Sequence, residues 1–216
     1  MTRKITGPSA TSSIDGSLAH SREQTLETLL SAAHALIFDC DGTLLKTPDL
    51  YTVGWQYAFK KTGLDMDAGW YHERAGMSEH VLMDAFEAEK NMVLDRDRTV
   101  RDLRQYILEN IHSVQEISKV ASIARAKHRH MPMAVASGGS RQIVLASLEA
   151  SGLLPLFDAI VTIDDVEHAK PAPDLFLEAA SRLKTLPEAC LVFEDSAQGL
   201  QAAANAGMTA IDVAVI

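Results

Sequence analysis

The sequence predicts an α/β fold built on a parallel β-sheet. Short apolar runs typical of buried strands recur along the chain, and segments with helical spacing separate them. Strands that alternate with helices through short connections form parallel sheets with right-handed crossovers. The predicted strands are 35–38, Met133–Ala136, Ala159–Ile163, Leu191–Phe193 and Thr209–Val213, and the predicted helices between the later strands lie near 140–150, 173–184 and 196–206.

The N-terminal 34 residues are predicted to be an extension of the fold. Residues 1–21 are rich in small and polar residues without periodicity, which is typical of a loose tail. Apolar residues then recur at helical spacing and predict an amphipathic helix over 22–33 that packs on the body. Structural padding and contact with a partner are both compatible with this pattern.

A helical insertion is predicted between the first and second strands. The strand signal disappears from 44 to about 112, and apolar residues at helical spacing mark three faces there. We therefore predict a small all-α cap domain over 48–112, inserted into a core domain formed by 35–47 and 113–216. Ser113 and Glu116 have the spacing of a capping box, which predicts that the core resumes with a helix over 113–128.

Composition and charge exclude several classes of protein. The chain has 216 residues, 47% of them apolar, and a net charge of −9, which disfavours nonspecific binding of nucleic acid. The sequence contains neither an apolar run long enough to span a membrane nor an apolar stretch after Arg3 and Lys4 that would form a secretory signal. With Cys40 and Cys190 as the two cysteines, we expect reduced thiols in a cytoplasmic protein. We also expect a monomer or weak homodimer.

The segment after the first strand carries two acids. Asp39 and Asp41 follow the apolar run and precede Gly42, which can make a sharp turn. Alternate residues of an extended chain share a face, so both carboxylates point in about the same direction. Two acids held together in a pocket either share a proton or bind a hard cation such as Mg²⁺. An Asp-Gly turn with an acid nearby by chance is the alternative interpretation.

Further polar clusters follow later strands. Ser137, Gly138 and Gly139 follow the second strand, and Glu194 and Asp195 follow the fourth. The carboxyl ends of parallel strands meet at one sheet edge, where open α/β sheets bind ligands. Each cluster also has a structural interpretation, since Ser-Gly-Gly suits an ordinary strand-to-helix turn, and Asp195 or Ser196 could be a helix N-cap. Lys170, which precedes Pro171, could likewise be a solvated lysine.

Taken in this order, the four motifs resemble the haloacid dehalogenase superfamily of phosphohydrolases. The resemblance covers nearly everything from Ala35 to Ile216 and implies a Rossmann-like three-layer core with a helical cap after the first strand. It implies that Asp39 is the nucleophile, which forms an aspartyl-phosphate, and that Asp41 is the general acid and base. It further implies Mg²⁺ held by Asp39, the Asp41 carbonyl, Glu194 and Asp195.

The same resemblance implies residues that bind the substrate. Ser137, Gly138 and Lys170 correspond to the phosphate-binding positions of the family. Thr43 lies beside the first motif, and Arg141 just after the phosphate loop, so both are candidate substrate-binding residues. In the predicted cap, the candidate determinants of specificity are Tyr51, His72, Arg74 and His80.

The implied function is Mg²⁺-dependent hydrolysis of small phosphorylated metabolites. The chain resembles the cap-bearing sugar phosphatases that act on fructose 1-phosphate or 6-phosphogluconate, and also β-phosphoglucomutase. It departs from its relatives at Lys46 and Pro48, where an acid is common at each position, and at Glu79, which stands where the mutase has an arginine for a second phosphate. We therefore favour a phosphatase over a mutase. A catalytically inactive binding or regulatory protein is the other alternative.

Overall fold

The computed structural model describes residues 24–216 and contains one parallel β-sheet. The sheet has the strand order β3-β2-β1-β4-β5, so the first strand lies in the middle. Every pairing of neighbouring strands is parallel. The strands are β1 Ala35–Phe38, β2 Met133–Ser137, β3 Ala159–Thr162, β4 Cys190–Glu194 and β5 Thr209–Asp212. The predicted α/β fold with a parallel sheet is therefore confirmed.

Nine α-helices lie within the described range. The first, α1, occupies 24–32. The others are α2 Pro48–Lys61, α3 Ala68–His72, α4 Glu79–Lys90, α5 Arg96–Glu109, α6 Ser118–Lys127, α7 Arg141–Ala150, α8 Asp174–Arg182 and α9 Ala197–Asn205. Within the described residues, no helix is long and apolar enough to cross a membrane.

The alternation of side chains along β1 creates the three layers of the core. Leu36 and Phe38 face one side, where they pack with α1, α6 and α7. Ala35 and Ile37 face the other side and pack with α8 and α9. All four side chains are fully buried, as expected of a central strand covered on both faces. This sandwich fixes the direction of β1 and hence the position of the acids that follow it.

Helix α1 packs on the first of these two layers. Leu30 is buried in it, and Leu26, Leu29 and Ala33 lie against it, so the apolar stripe of the predicted amphipathic helix covers the body. The described part of the helix ends at residue 32, close to the predicted end. The predicted tail over 1–21 lies outside the described residues.

The segment between β1 and β2 is helical and has its own apolar cluster. Helices α2, α4 and α5 correspond to the three predicted faces, whereas the short helix α3 was not predicted. Stacked aromatic rings hold this cluster together, including Phe59 on Phe86 with centroids 4.3 Å apart. The helical insertion is thus present, while the division into domains at 48 and 112 stays a prediction.

The predicted capping box at Ser113 and Glu116 is wrong. A short 3₁₀ turn occupies Ile111–Ser113, and α6 begins only at Ser118. The Ser113 hydroxyl donates to the carbonyl of Asn110, and the Glu116 carboxylate pairs with Arg125. Both side chains therefore have partners other than the backbone N–H groups that a capping box would satisfy.

Candidate active site

The carboxyl ends of three adjacent strands converge on one cavity. Asp39 follows β1, Ser137 ends β2 and Glu194 ends β4. β1 lies between the other two strands in the sheet, and this brings residues distant in sequence together. Asp39 is held at the edge by its own N–H, which donates to the carbonyl of Phe193 at 2.9 Å. The predicted convergence of the polar clusters is observed.

Lys170 is buried between two carboxylates. Its Nζ donates to Oδ1 of Asp39 and to Oε2 of Glu194, each at 2.6 Å, and it lies 5.0 Å from the ring centre of Phe176. Burial alone lowers the pKa of Lys170, but the charges of Asp39 and Glu194 outweigh burial and raise it, so the ammonium stays protonated. Lys170 is thus a fixed positive charge beside the candidate nucleophile, not a solvated lysine.

Asp41 is held by two hydroxyl groups. Thr47 donates to its Oδ1 at 2.6 Å, and Ser137 donates to its Oδ2 at 3.3 Å. Burial raises the pKa of Asp41, and these two hydrogen bonds oppose the increase. Ser137 also accepts a hydrogen bond from the N–H of Gly139 at 3.0 Å, so its hydroxyl is fixed in direction. A carboxyl group oriented in this way with a raised pKa suits proton transfer.

In the turn after β4, different residues cap helix α9 and line the cavity. Ser196 is the N-cap of α9 and accepts from the N–H of Gly199. Asp195 is thereby left to face the cavity, where its Oδ1 accepts from the Thr43 hydroxyl at 2.8 Å. Of the two residues predicted as possible N-caps, Ser196 has that role and Asp195 does not. Thr43, itself fully buried and not among the residues that line the cavity, positions Asp195.

Glu194 has both carboxylate oxygens engaged by the protein. Oε1 accepts from the N–H groups of Asp195 and Ser196 and from the Ser196 hydroxyl, and Oε2 accepts from Lys170. These contacts, with the charge of Lys170, outweigh burial and lower the pKa of Glu194. Glu194 is therefore an anchored anion that orients Lys170 and the start of α9.

Two glycines permit the close packing of these acids. A Cβ at Gly42, where φ is +90°, would lie 2.2 Å from Oδ2 of Asp195. A Cβ at Gly199 would lie 2.0 Å from Oε2 of Glu194. Any side chain at these positions would displace a carboxylate. The sharp turn expected at Gly42 is present, and the reason for glycine there includes the approach of Asp195.

Three carboxylates form a set that fits a hard cation. Asp39, Glu194 and Asp195 each offer an oxygen, and these atoms lie within 4.8 Å of one another. Burial is the main cause that raises the pKa of Asp39 well above its usual value, and repulsion from Glu194 adds to it. Burial likewise raises the pKa of Asp195 to about 6. A further positive charge would relieve this repulsion, and oxygen donors are the ligands that Mg²⁺ prefers.

The helical insertion closes the other side of the cavity. Gly76 lies over the core, because a Cβ there would be 3.2 Å from Cβ of Ser196, and its carbonyl oxygen would be 3.4 Å from a Cβ at Gly138. Several side chains and one glycine of the insertion line the cavity together with the acids: Pro48, Tyr51, Trp55, Tyr71, Ala75, Gly76, Met77 and Glu79. The site is thus shared between the sheet edge and the insertion.

Comparison with known proteins identifies the family. Residues 36–213 match the model of the haloacid dehalogenase-like hydrolases, which covers most of the chain, including four strands in full and all of β1 except Ala35. The chain belongs to this family.

Relatives of known name place this haloacid dehalogenase-like hydrolase among phosphatases. It is 34% identical over 181 residues to the fructose-1-phosphate phosphatase YqaB of Escherichia coli, across 84% of this chain and 96% of the relative. It is 27% identical over 181 residues to the phosphorylated carbohydrates phosphatase of Thermotoga maritima, across 82% and 83% of the two chains. The predicted family and enzyme class, a haloacid dehalogenase-type phosphatase, are confirmed.

A solved structure supports the fold of this hydrolase independently. The β-phosphoglucomutase of Clostridium difficile superposes with a TM-score of 0.74 at 23% identity, across 82% of this chain and 83% of that one. At this identity the similarity shows the fold alone. The Rossmann-like three-layer core predicted from the resemblance is confirmed.

The structure does not bring Arg141 into the cavity of the hydrolase. Its guanidinium donates to the carbonyl of Ile160 in the neighbouring strand β3 and pairs with Asp165 in the turn that follows this strand. The backbone N–H of Arg141 donates to Asp164. The side chain is therefore committed to the edge of the sheet, and the geometry gives no support to its predicted role in substrate binding.

Of the four specificity residues predicted in the insertion, Tyr51 is the one that lines the cavity. His72 and His80 are exposed, and Arg74 stacks on the ring of Trp70 at 4.3 Å. The cavity residue Tyr71 and the Asp41 partner Thr47 were not predicted. Their roles depend on how the insertion sits on the core, which local sequence patterns do not encode.

Proposed function

We propose that this hydrolase is a Mg²⁺-dependent phosphatase of small phosphorylated metabolites, chiefly sugar phosphates, which acts through an aspartyl-phosphate on Asp39. The observation that carries the proposal is the arrangement of Asp39, Asp41 and Lys170 around one cavity. A nucleophile, a proton donor and a fixed cation are the groups that phosphate ester hydrolysis requires. A protein that only binds phosphate would not need both carboxylates.

In the proposed first step, an oxygen of Asp39 attacks phosphorus and the bond from phosphorus to the leaving oxygen breaks. Asp41 donates a proton to that oxygen, so the leaving group departs as a neutral hydroxyl. Lys170, already hydrogen-bonded to Asp39, offsets the negative charge of the phosphate as it approaches. Ser137 and the N–H of Gly138, at the turn that precedes α7, are proposed to bind the phosphate oxygens.

In the proposed second step, water hydrolyses the aspartyl-phosphate. Asp41, now ionised, takes a proton from a water molecule, which attacks phosphorus. The bond between Asp39 and phosphorus breaks, inorganic phosphate is released, and both carboxyl groups return to their initial states. The hydroxyl of Thr47 holds Asp41 in one orientation through both proton transfers.

A magnesium ion fits the carboxylates at this edge of the sheet. We propose that Asp39, Asp195 and the backbone carbonyl of Asp41 hold it, with Glu194 beside them. Because Glu194 already accepts hydrogen bonds on both oxygens, its contribution is best explained as orientation and charge. When bound, Mg²⁺ lowers the repulsion between the nucleophile and the phosphate.

Hydrolysis is proposed in preference to mutase activity because of Glu79. A mutase must hold a sugar bisphosphate by both phosphates, and Glu79 places a carboxylate in the cavity wall instead of a cation. Like charges at such a position repel. The names of the relatives that carry the substrate argument, a fructose-1-phosphate phosphatase and a phosphorylated carbohydrates phosphatase, agree with this proposal.

We also propose that residues 48–112 act as a cap that moves on the core domain of 35–47 and 113–216. The link at Lys46 and Pro48 lies at the start of α2, next to Thr47. Opening would admit the substrate, and closure would exclude water before the first step.

The test is release of phosphate from a panel of sugar phosphates, with Mg²⁺ and with chelator. The proposal predicts metal-dependent release that disappears in Asp39→Asn, a substitution that keeps the shape of the side chain. Conversion of glucose 1-phosphate to glucose 6-phosphate without net release would favour the mutase. Absence of any turnover by folded, Mg²⁺-loaded protein would favour a binding protein.

A further inference from the structure

Two tyrosines of the insertion have hydroxyl groups without a hydrogen-bond partner in the described part of the chain. Tyr51 and Tyr71 are 8% and 6% exposed, and both line the cavity. Neither hydroxyl makes a hydrogen bond to any residue of the described range 24–216. Because both side chains line the cavity, these hydroxyl groups are available to hydrogen-bond a molecule bound there.

The carboxylate of Glu79 lines the same cavity as the two tyrosines, and Arg104 fixes its orientation. Arg104 donates from Nε to Oε1 of Glu79 at 3.0 Å and from Nη2 to Oε2 at 2.6 Å. Glu79 lines the cavity and Arg104 does not. A molecule in the cavity therefore contacts the carboxylate of Glu79, a hydrogen-bond acceptor, and not the guanidinium of Arg104. A carboxylate has about four acceptor positions, and Arg104 uses two of them. The remaining positions can accept hydrogen bonds from a ligand.

These groups lie apart from the reacting acids, on α2, α3 and α4 of the insertion. Burial raises the pKa of Tyr51 well above its usual range, and the negative charges of Asp41 and Glu79 add to the increase, which places the phenol within electrostatic reach of both. Tyr51 therefore lies near both Asp41 and Glu79, which line the same cavity. A molecule with its phosphate at Asp39 would extend the rest of its structure toward this wall.

We propose that Tyr51, Tyr71 and Glu79 bind the leaving part of the substrate and select uncharged, hydroxyl-bearing groups. The phenols can donate or accept, while the Glu79 carboxylate can only accept, so together they match the hydroxyl groups of a sugar or polyol. The inference rests on the proposed phosphatase function and narrows its substrates. A leaving group with a carboxylate or a second phosphate would place an anion against Glu79 and is disfavoured.

Selection of an uncharged leaving group discriminates between the two substrates suggested by the sequence and a bisphosphate. Fructose 1-phosphate has a neutral polyol leaving group, whereas 6-phosphogluconate carries a carboxylate and fructose 1,6-bisphosphate a second phosphate. The wild-type enzyme is expected to prefer fructose 1-phosphate over the other two. Acetyl phosphate has no hydroxyl groups to offer this wall, so its turnover reports the chemistry at Asp39 alone.

The test compares Glu79→Gln with Asp84→Asn. Asp84 is also an acid of α4 that pairs with an arginine of α5, Arg96, at 2.6 Å, but it does not line the cavity. In Glu79→Gln we expect kcat/KM for fructose 1-phosphate to fall about 10-fold or more, mainly through KM, because a hydrogen bond to a charged acceptor is lost. Relative activity toward fructose 1,6-bisphosphate should rise. Acetyl phosphate turnover should stay within about twofold, and Asp84→Asn should match the wild type throughout.

A second variant covers the case in which Glu79→Gln fails to fold. Tyr71→Phe removes one hydroxyl that makes no hydrogen bond to residues 24–216, so its thermal unfolding should be unchanged or improved. We expect KM for fructose 1-phosphate to rise about 5-fold or more while acetyl phosphate turnover is unaffected. Unchanged KM in Tyr71→Phe, or unchanged substrate preference in folded Glu79→Gln, would overturn the inference. If wild-type enzyme releases phosphate from neither fructose 1-phosphate nor acetyl phosphate, the proposed function itself fails.

Discussion

The hydroxyl of Thr47 donates a 2.6 Å hydrogen bond to Oδ1 of Asp41. Thr47 immediately precedes the first helix of the insertion, and Asp41 belongs to the loop after the central strand. The bond therefore connects the orientation of Asp41, the candidate acid and base, to the segment that joins the core to the insertion. In the proposed mechanism, this bond connects movement of the insertion to proton transfer by Asp41.

Removing this hydroxyl should slow catalysis without unfolding the protein. In Thr47→Val we expect kcat to fall about 10- to 100-fold, since a hydrogen bond to a carboxylate contributes about 1.5–3 kcal/mol. The matched control is Thr52→Val, because the Thr52 hydroxyl is also buried but donates to the carbonyl of Pro48 within α2. Equal kcat values for the two variants in a phosphate release assay would show that Thr47 does not position Asp41.

Loss of Lys170 should affect both stability and activity. In Lys170→Met, Asp39 and Glu194 would face each other in a buried site without the cation that now bridges them. We expect the free energy of unfolding to fall by about 3–5 kcal/mol and phosphate release to fall at least about 100-fold. Urea denaturation and the release assay measure the two effects. Lys119→Met, at an exposed position of α6, is the control and should change neither.

Contact between Gly76 and the core should matter for closure of the site. Gly76 and Gly63 both have positive φ, +91° and +81°, so alanine strains the backbone at each by about 1 kcal/mol. A Cβ at Gly76 would press on Ser196, whereas a Cβ at Gly63 would meet nothing within 4 Å. We expect similar losses of thermal stability, but reduced kcat/KM for fructose 1-phosphate only in Gly76→Ala. A similar loss of kcat/KM in both variants would contradict a role for this contact.

Asp165 should make stability depend on pH in the acid range. Burial opposes its ionisation, but hydrogen bonds from Arg182, Thr162 and Arg141 prevail and lower its pKa to about 2. Because the folded pKa is below the unfolded value, the stabilisation is complete above about pH 4 and is lost as the pH falls toward 2.

The comparison of wild type with Asp165→Asn isolates this effect. At pH 7 the variant should be less stable by about 1–2 kcal/mol, a range reduced for the partial exposure of the ion pairs. The difference should shrink between pH 4 and pH 2, as measured by urea denaturation at each pH. A difference that is the same at pH 7 and pH 3 would show that the charge of Asp165 is not its cause.

The sheet and the acids at its edge could be predicted because both depend on short-range patterns. Apolar runs specify the strands, and parallel order brings their carboxyl ends together, so the placement of Asp39 and Glu194 followed from the sequence. The start of α6 was misplaced because Ser113 and Glu116 have the spacing of a capping box but bond to Asn110 and Arg125 instead.

The part of the site contributed by the insertion could not be predicted in the same way. Whether Tyr71 or His72 faces the cavity depends on the docking of a five-residue helix, which is too short for a periodic pattern to orient it. Arg141 follows the phosphate loop in sequence, yet Asp165 at the end of a neighbouring strand captures it. Tertiary contacts decided these positions.

The central claim is that Asp39 carries the phosphoryl group during turnover. The direct measurement is mass spectrometry of peptides after acid quenching of enzyme that is turning over fructose 1-phosphate with Mg²⁺, compared with Asp39→Asn and Asp41→Asn. We predict one phosphoryl group on Asp39 in the wild type and none in Asp39→Asn. In Asp41→Asn, any intermediate that forms should persist, because the base for its hydrolysis is missing. Phosphate release by Asp39→Asn at the wild-type rate, or a phosphoryl group on another residue, would contradict the account.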